Sequence, residues 1–435
     1  MENLDNKLTP AQQTPKNKID WNKKIKETLT ENIVVIIFVA LCFACIQVAQ
    51  MPMSFIVNEL VSRLSRNLFL VLSLIIPVLA GMGLNFGIVI GAMAGQIALI
   101  AVTHWGVTGL AGFSLAVALT IPISIVFGYL TGVILNKTRG QEMIAGMILG
   151  YFTNGLYQLL FLFLVGTIIP MNNPVLVLSS GIGIKNTIDL NAIKYALDRA
   201  FDPFFKITFV HASMVICVVL IAIFAYGAYK NKKEDRYEKY VNAAIKAVIF
   251  VVIFALLIVL SQQKSIINMI KFPTASFASV ALICIFTKFL MTTKLGQDFR
   301  TVGQDMHVAA VSGINVNKTR IKAIMISTVL AGVGQLIFLQ NIGTLNTYGG
   351  HEQVGMYAIA ALLVGGASVS KATIGQAIIG TALFHTLFIV SPQAGQNLFG
   401  NAQIGEYFRV FVAYGVIGIS LALYAWKQVK ARKDL

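Results

Sequence analysis

The chain is 435 residues long; 57% of its residues belong to the AVILMFWYC set and only 12% are charged. A soluble domain carries about 25% charged residues, and a soluble fold of this composition would leave broad apolar areas facing water. The mean hydropathy of +0.76 therefore predicts an all-α fold, a polytopic membrane helical bundle. The net charge of +16 sits in short segments between apolar runs, where the positive-inside rule accounts for it without nucleic acid.

A membrane span needs about 20 mostly apolar residues. A polar, lysine-rich tail over 1–32 comes first and reads as cytoplasmic. Apolar runs then follow at 33–50, 67–84, 86–104, 109–135, 142–169, 206–229, 244–262, 274–292, 321–342, 354–366, 371–391 and 408–426, before a short tail at 427–435. The run 33–50 has no small-residue cleavage site after it, so it reads as a spanning helix and not a signal peptide. The run 354–366 is short, and Gly81, Gly83 and Gly87 interrupt 67–104. Each of the pairs 67–104 and 354–391 is thus open to a re-entrant reading. The expectation is about ten transmembrane helices, in a range of nine to twelve, spread over 33–426.

Most of the 34 Lys and Arg residues fall in the two tails and in 136–141, 230–246 and 288–322, together with Lys371. Arg63, Arg66, Lys185, Lys194, Arg199, Lys206, Lys264, Lys271 and Arg409 are assigned to the other side. That bias places both termini in the cytoplasm of a cell-membrane protein. Residues 170–205 form an extracytoplasmic segment in which KNTIDLNAIKYALDRAF reads as a short amphipathic helix. Residues 293–320 form a cytoplasmic loop. The polar stretch NKKEDRYEKY near 230–240 divides the chain, as expected of an inverted repeat.

None of the 18 Asp and Glu residues falls in the middle of an apolar run, which argues against an ion-coupled carrier. His104, His211 and His385 read as neutral side chains hydrogen-bonded within the bundle. Cys42 and Cys45 read as small apolar residues on a spanning helix. There is no H-E-x-x-H, G-x-S-x-G or P-loop, so no catalytic site, metal or cofactor is assigned to the chain. The polar groups inside the runs are amides instead: Asn85, Gln96, Asn154, Gln158, Gln335, Gln340 and Asn341. Each needs a partner in hydrocarbon. One by one they read as helix–helix hydrogen bonds; as a set they mark a polar route for a neutral, hydroxylated solute. Gly365-Gly366-Ala367-Ser368 should break its helix, and exposed half-helix ends at membrane depth commonly line a substrate route. Asn85, Gln96, Asn154, Gln335, Gly365, Gly366 and Ser368 are the pathway candidates.

The 293–320 loop carries a further signal. At its centre, Ala309, Ala310 and Ile314 offer a small, weakly apolar face, and Gly313 should end a short helix after Ser312. The run Val302-Gly303-Gln304-Asp305, then Ala309-Ala310-Val311-Ser312-Gly313-Ile314-Asn315-Val316, then Lys318 and Arg320 resembles the ATPase-docking loop of ABC importer permeases. The resemblance is to the family serving ribose and other simple sugars, nucleosides and branched-chain amino acids. Asp305 stands where that family usually has Asn. Leu330-Ala331-Gly332-Val333-Gly334 and the Gly365-Gly366-Ala367-Ser368 segment, followed by Gly375 and Gly380, fall in the family's order. Gly83-Leu84-Asn85-Phe86-Gly87 stands where sugar members usually carry an acidic D-L-S-x-G.

The resemblance implies a permease subunit with no catalytic site. A partner ATPase, carrying ATP and Mg, would dock on Gly303, Gln304, Asp305, Ala309, Ala310, Gly313 and Ile314. A second permease copy or paralogue would complete the pathway in the lipid bilayer. An extracytoplasmic substrate-binding protein would deliver a small-molecule substrate, a simple sugar or nucleoside by preference.

Overall fold

The computed structural model describes residues 32–202, 207–234, 237–263 and 265–433. The expected cytoplasmic tail over 1–32 falls almost wholly outside the described residues, as do Lys206 and Lys264. In hydrocarbon an extended apolar segment cannot leave its backbone groups unpaired, so the apolar runs fold as helices. In chain order these are α1 (Ile33–Ala49), α2 (Met53–Ser73), α3 (Ile75–Leu79), α4 (Ile88–His104), α5 (Gly109–Lys137) and α6 (Glu142–Leu159). After an outer segment come α7 (Ala196–Phe201), α8 (Phe209–Lys233), α9 (Tyr237–Gln262) and α10 (Thr274–Thr292). The inner helices α11 (Lys294–Gln304) and α12 (Met306–Val311) lead to α13 (Val316–Ile342), α14 (Gly350–Val364), α15 (Ile374–Phe399) and α16 (Ala402–Lys433). Two short strands, β1 (Thr187–Asp189) and β2 (Thr344–Asn346), pair antiparallel with Ile188 opposite Leu345.

Among the described residues, eight helical stretches are long and apolar enough to cross a membrane, and α1 and α4 are shorter apolar helices. Contacts between chain-distant turns define two ends. At the inner end Gly81 meets Gly303 and Gly83 meets Met143 and Val369. At the outer end the Gly109 amide donates to the Ala192 carbonyl at 2.9 Å, and β1 pairs with β2. Each of the pairs 67–104 and 354–391 turns at the inner end, through 80–87 and 365–373.

Two expectations need correction. The run placed at 67–84 is a helical stretch over Met53–Leu79. Glu59, Arg63 and Arg66 therefore lie within a spanning helix and not in an outer loop; their polar face lowered the hydropathy of a segment that is buried by its neighbours. The outer stretch 185–195 is not helical. Thr187–Asp189 forms a strand because β2 offers it a ladder, and helix is confined to Ala196–Phe201. The described parts of NKKEDRYEKY lie at the end of α8 and the start of α9, which stack Phe224 on Phe250 at 5.6 Å. The C-terminal tail expected from 427 continues α16 as helix to Lys433.

The α2–α3 break has a local cause. Pro77 has no N–H, so the Ser73 carbonyl loses its helical donor. The Ser327 hydroxyl of α13 donates to that carbonyl instead, at 2.9 Å. Helix α13 is the post around which α2, α4 and α5 pack. A Cβ on Gly91 would lie 2.5 Å from the Thr328 carbonyl oxygen, and one on Gly95 would lie 2.6 Å from that of Gly332. Only glycine permits backbones this close. On the outer side Tyr348 donates to the Ile184 carbonyl at 2.7 Å, and burial pushes its phenol up to about 12.

At the inner ends of α5, α6 and α13, the fully buried Arg320 pairs with Glu142 and donates to Asn136 Oδ1 at 3.3 Å. Removing one partner of a buried pair costs about 3–5 kcal/mol, whereas replacing both by apolar residues costs far less. Arg320→Ala should therefore lower the thermal unfolding midpoint of the detergent-purified chain sharply. The Arg320→Met, Glu142→Met double variant should recover most of that loss.

Candidate functional site

A cavity of about 440 Å³ opens between α4, α6, α14 and α16. Phe86 and Val89 come from the start of α4, Met147, Gly150 and Tyr151 from α6, and Asn346 and Gly349 from the β2 turn. Helix α14 supplies Glu352, Gln353, Met356 and Tyr357, and α16 supplies Val410 and Tyr414. Three tyrosines, a carboxylate and two amides thus line the cavity. Aromatic faces with a few placed polar groups are the usual lining of a small-molecule site.

Behind this wall lies a hydrogen-bonded relay centred on His351, which is fully buried. Its Nδ1 lies 2.9 Å from Gln96 Oε1 and its Nε2 lies 2.9 Å from Asn154 Oδ1. The Tyr157 hydroxyl donates to Gln96 Oε1 at 3.0 Å, and Asn154 Nδ2 donates to Glu352 Oε1. A neutral imidazole has one N–H and one acceptor. It serves both contacts when one of the two amides turns its NH2 toward the ring. The relay joins α4, α6 and α14 and delivers Glu352 to the cavity.

Gln96 and Asn154 are therefore brought together, by a histidine that hydropathy did not flag. His351 lies just ahead of the 354–366 run, in the polar start of α14. The signal available was the triplet His351-Glu352-Gln353 opening an otherwise apolar helix. The other pathway candidates lie elsewhere. Asn85 is buried and donates to Ser327 Oγ at 3.3 Å. Gln335 is buried between α13 and Gly95 of α4. Gly365 caps α14, Gly366 follows at φ +82°, and the Ser368 hydroxyl accepts the Lys371 amide at 3.1 Å. These last three form the inner-end turn, away from the cavity.

The inner face is built by α11 and α12. Asp305 caps α12, accepting the His307 and Val308 amides at 2.7 and 3.0 Å. The Val308 amide foremost, with that of His307, holds this exposed carboxyl below the usual range. Asn caps a helix as well as Asp does, so the departure from the family's Asn leaves the turn intact. Ser312 closes α12 and Gly313 follows at φ +80°, where the sequence placed the helix end. Ala309 faces inward, packed with Val302 and Val316, and Ile314 is partly buried against them. The exposed apolar face is instead Val308 at 53% and Val311 at 78%. Ala310 is exposed beside a groove lined by Arg139, Met306, His307 and Ile314. Gln304 is exposed at the end of α11.

Gly303 ties this face to the bundle. A Cβ there would lie 2.2 Å from the Leu79 carbonyl oxygen, and a Cβ on Gly81 would lie 2.7 Å from Gly303 Cα. The backbone of α11 thus rests on the end of α3. From there the turn 80–87 leads directly to Phe86 and Val89 of the cavity.

Two outcomes follow. His351→Ala leaves Gln96 and Asn154 without their shared partner, at about 1–3 kcal/mol for each buried group, and should lower the thermal midpoint of the purified chain. Asp305→Ala should speed amide exchange at His307 and Val308, while Asp305→Asn should not. The Asp305 carboxyl is lowered on folding, so its contribution is present above the unfolded value of about 3.9 and is lost as pH falls through the folded one. Exchange over α12 should accelerate only in that acid window, and not in Asp305→Asn.

The family model described as branched-chain amino acid transport system / permease component matches residues 56–421. The xylose transport system permease protein XylH of Haemophilus influenzae is 25% identical over 158 residues, 35% of this chain and 40% of that protein. The nucleoside ABC transporter permease protein NupC of Lactococcus lactis subsp. cremoris is 28% identical over 161 residues, 36% of this chain and 48% of that one. The autoinducer 2 import system permease protein LsrC of an Enterobacter species is 34% identical over 96 residues, 22% of this chain and 28% of its own length. The chain thus matches less than half the length of each of these curated relatives. No solved structure matches. With the family model running from α2 into α16, across the cavity, the relay and the inner helices, the chain belongs to the family of permease components typified by the branched-chain amino acid transport system.

Proposed function

We propose that this chain is the membrane-spanning permease subunit of an ATP-driven ABC importer and forms the pathway for a small polar solute, a simple sugar or nucleoside by preference. The observation that carries this reading is the inner platform. Val308 and Val311 project from a capped helix whose neighbour α11 touches the end of α3 backbone to backbone. A partner ATPase seated on that face would push a rigid element joined to the cavity turn. ATP and Mg would be held by that partner, and the chain itself would catalyse nothing. A second permease copy or a paralogue would close the open side of the cavity. A binding protein would deliver the solute at the outer end, where β1 and β2 meet. Both termini would lie in the cytoplasm, with the bundle in the cell membrane.

The cavity chemistry supports a sugar or nucleoside. Tyr151, Tyr357 and Tyr414 offer faces on which a sugar ring or a base stacks, and Asn346, Glu352 and Gln353 offer groups for hydroxyls. A second reading, an ion-coupled carrier, is favoured by one feature: Glu352 stands at the cavity linked through Asn154 to His351. Intramembrane carboxylates of this kind serve ion and proton pathways.

The two readings separate in membrane vesicles that carry the native system. Under the importer reading, Val311→Asp should reduce ATP-dependent uptake of radiolabelled solute at least about tenfold, the equivalent of 1.4 kcal/mol or more of lost coupling. The variant should still insert at normal level and lose co-purification of the ATPase, and ionophores should leave wild-type uptake unchanged. Normal uptake by Val311→Asp together with ionophore sensitivity would favour the carrier.

A further inference from the structure

Three arginines and a histidine converge in the outer half of the bundle, apart from the cavity. Glu59, Arg63 and Arg66 follow one another at helical spacing along one face of α2. Arg63 Nε lies 3.6 Å from Glu59 Oε2. Across from it on α16, Arg409 pairs with Glu406 and donates to the Phe388 carbonyl at 3.2 Å. Arg63 is within electrostatic reach of Arg409 and Glu406, Arg66 of Arg63, Glu59 and Tyr195, and His385 of both Arg63 and Arg66.

The charges do not balance: three guanidiniums face two carboxylates. Arg66 makes no hydrogen bond or ion pair among the described residues, and its Nε is buried. The Nε atom of Arg409 and Nδ1 of His385 are likewise buried without a hydrogen bond, and Arg63 Nε has only its ion pair with Glu59. His385 is only 4% exposed. Arg66, the one without an ion pair among the described residues, stands thirteen residues into α2, about 20 Å along it at the helical rise. Arg66 is half-buried, and an uncompensated guanidinium within an apolar bundle is costly even so; such charges are paired or hold a ligand.

We infer that Arg63, Arg66, Arg409 and His385 form a binding site for an oxyanion of the phosphate type, between α2, α15 and α16. A guanidinium fork matches two oxygens of such a group, and a histidine N–H adds a third donor. One bound anion supplies the missing negative charge and the missing acceptors together. None of the four side chains lines the cavity; the Phe388 ring packs against both Arg409, 4.9 Å from its centroid, and Tyr357 of the cavity lining, 4.8 Å away. The inference therefore does not rest on the transport reading. The phosphate belongs either to an anionic lipid headgroup of the outer leaflet or to a free ion.

The test uses the full chain, purified and delipidated in a neutral detergent. Its thermal midpoint is followed against inorganic phosphate, and separately against phosphatidylglycerol with phosphatidylcholine as the control. Ligand that binds only the folded chain raises the midpoint, and the shift grows with the logarithm of its concentration above Kd. A rise with phosphate alone assigns a free-ion site, and a rise with phosphatidylglycerol but neither phosphate nor phosphatidylcholine assigns a headgroup site. In either case Arg66→Gln should weaken binding about tenfold or more, the usual scale for a lost charge-assisted bond. Arg66→Lys, which keeps the charge and loses the fork, provides the reading if the glutamine variant does not fold, and should also bind more weakly. No rise with either anion, or equal affinity in the Arg66 variants, overturns the proposal.

Discussion

Lipid tails are as apolar as leucine, so two helices in a bilayer gain little by hiding apolar surface from one another. Cohesion then depends on how closely their backbones approach, and this bundle is organised around that constraint. Helix α13 meets α4 at Gly91 and Gly95, where an added methyl would fall within 2.6 Å of a carbonyl oxygen. Gly128 brings α5 against Met325 and Thr328 on the same helix. These contacts put α13 at the centre, buried over most of its length. The large aliphatic side chains of α8 and α9 are left outside. The α9 window, with a mean hydropathy of 3.1, is only 6% buried. In a soluble protein the most apolar helix would be the core; here it is the rim.

Close backbones leave little room, and hydrocarbon offers no hydrogen-bond partners. Every buried polar group must therefore be matched by another helix. Pro77 frees the Ser73 carbonyl, Ser327 of α13 takes it, and Asn85 in turn donates to Ser327. The break in one helix is thus answered by a hydroxyl about 250 residues later. The same logic assembles Tyr157, Gln96, His351, Asn154 and Glu352 from three helices. A relay of this kind is costly if left incomplete and stiff when complete. It fixes the position of Glu352 on the cavity wall.

The composition alone made the fold class legible, because charge depletion on this scale has no soluble solution. Runs such as 109–135 and 321–342 fell inside α5 and α13, where one apolar stretch equals one helix. The method failed where the helix has a polar buried face. Asn58, Glu59, Arg63 and Arg66 dilute the hydropathy of α2, so its first two thirds read as loop. It also failed where structure depends on a distant partner: nothing in Thr187–Asp189 announces that Thr344–Asn346 will pair with it. The site was half legible. Gln96 and Asn154 stood out as amides in apolar runs, but their common partner lies in a polar helix start that a span search discards. Ala309 and Ile314 shared a small apolar surface on paper. The turn at Asp305 rotates Ala309 inward and leaves Val308 and Val311 outside.

The cavity wall is attached to both faces of the membrane through rigid links of different kinds. On the inner side the link is steric: α11 lies against the Leu79 carbonyl through Gly303, and seven residues later Phe86 lines the cavity. No side chain intervenes to absorb a displacement of α11, so movement there is passed to the turn. On the outer side the link is a ladder: β1 holds β2 in register, and Thr347 adds bonds to Asn186 and Lys185 through its amide and hydroxyl, each at 2.8 Å. From β2 the chain reaches His351 and Glu352 within six residues. The two links enter the cavity through α4 and α14, which pack against each other at Val89 and Gly355. Those helices are joined to each other through Gln96 and His351. A change imposed at either face meets the other where α4 packs on α14: at Gln96, bonded to both His351 and the Asn346 carbonyl, and at Gly355, set against Ile88 and Val89.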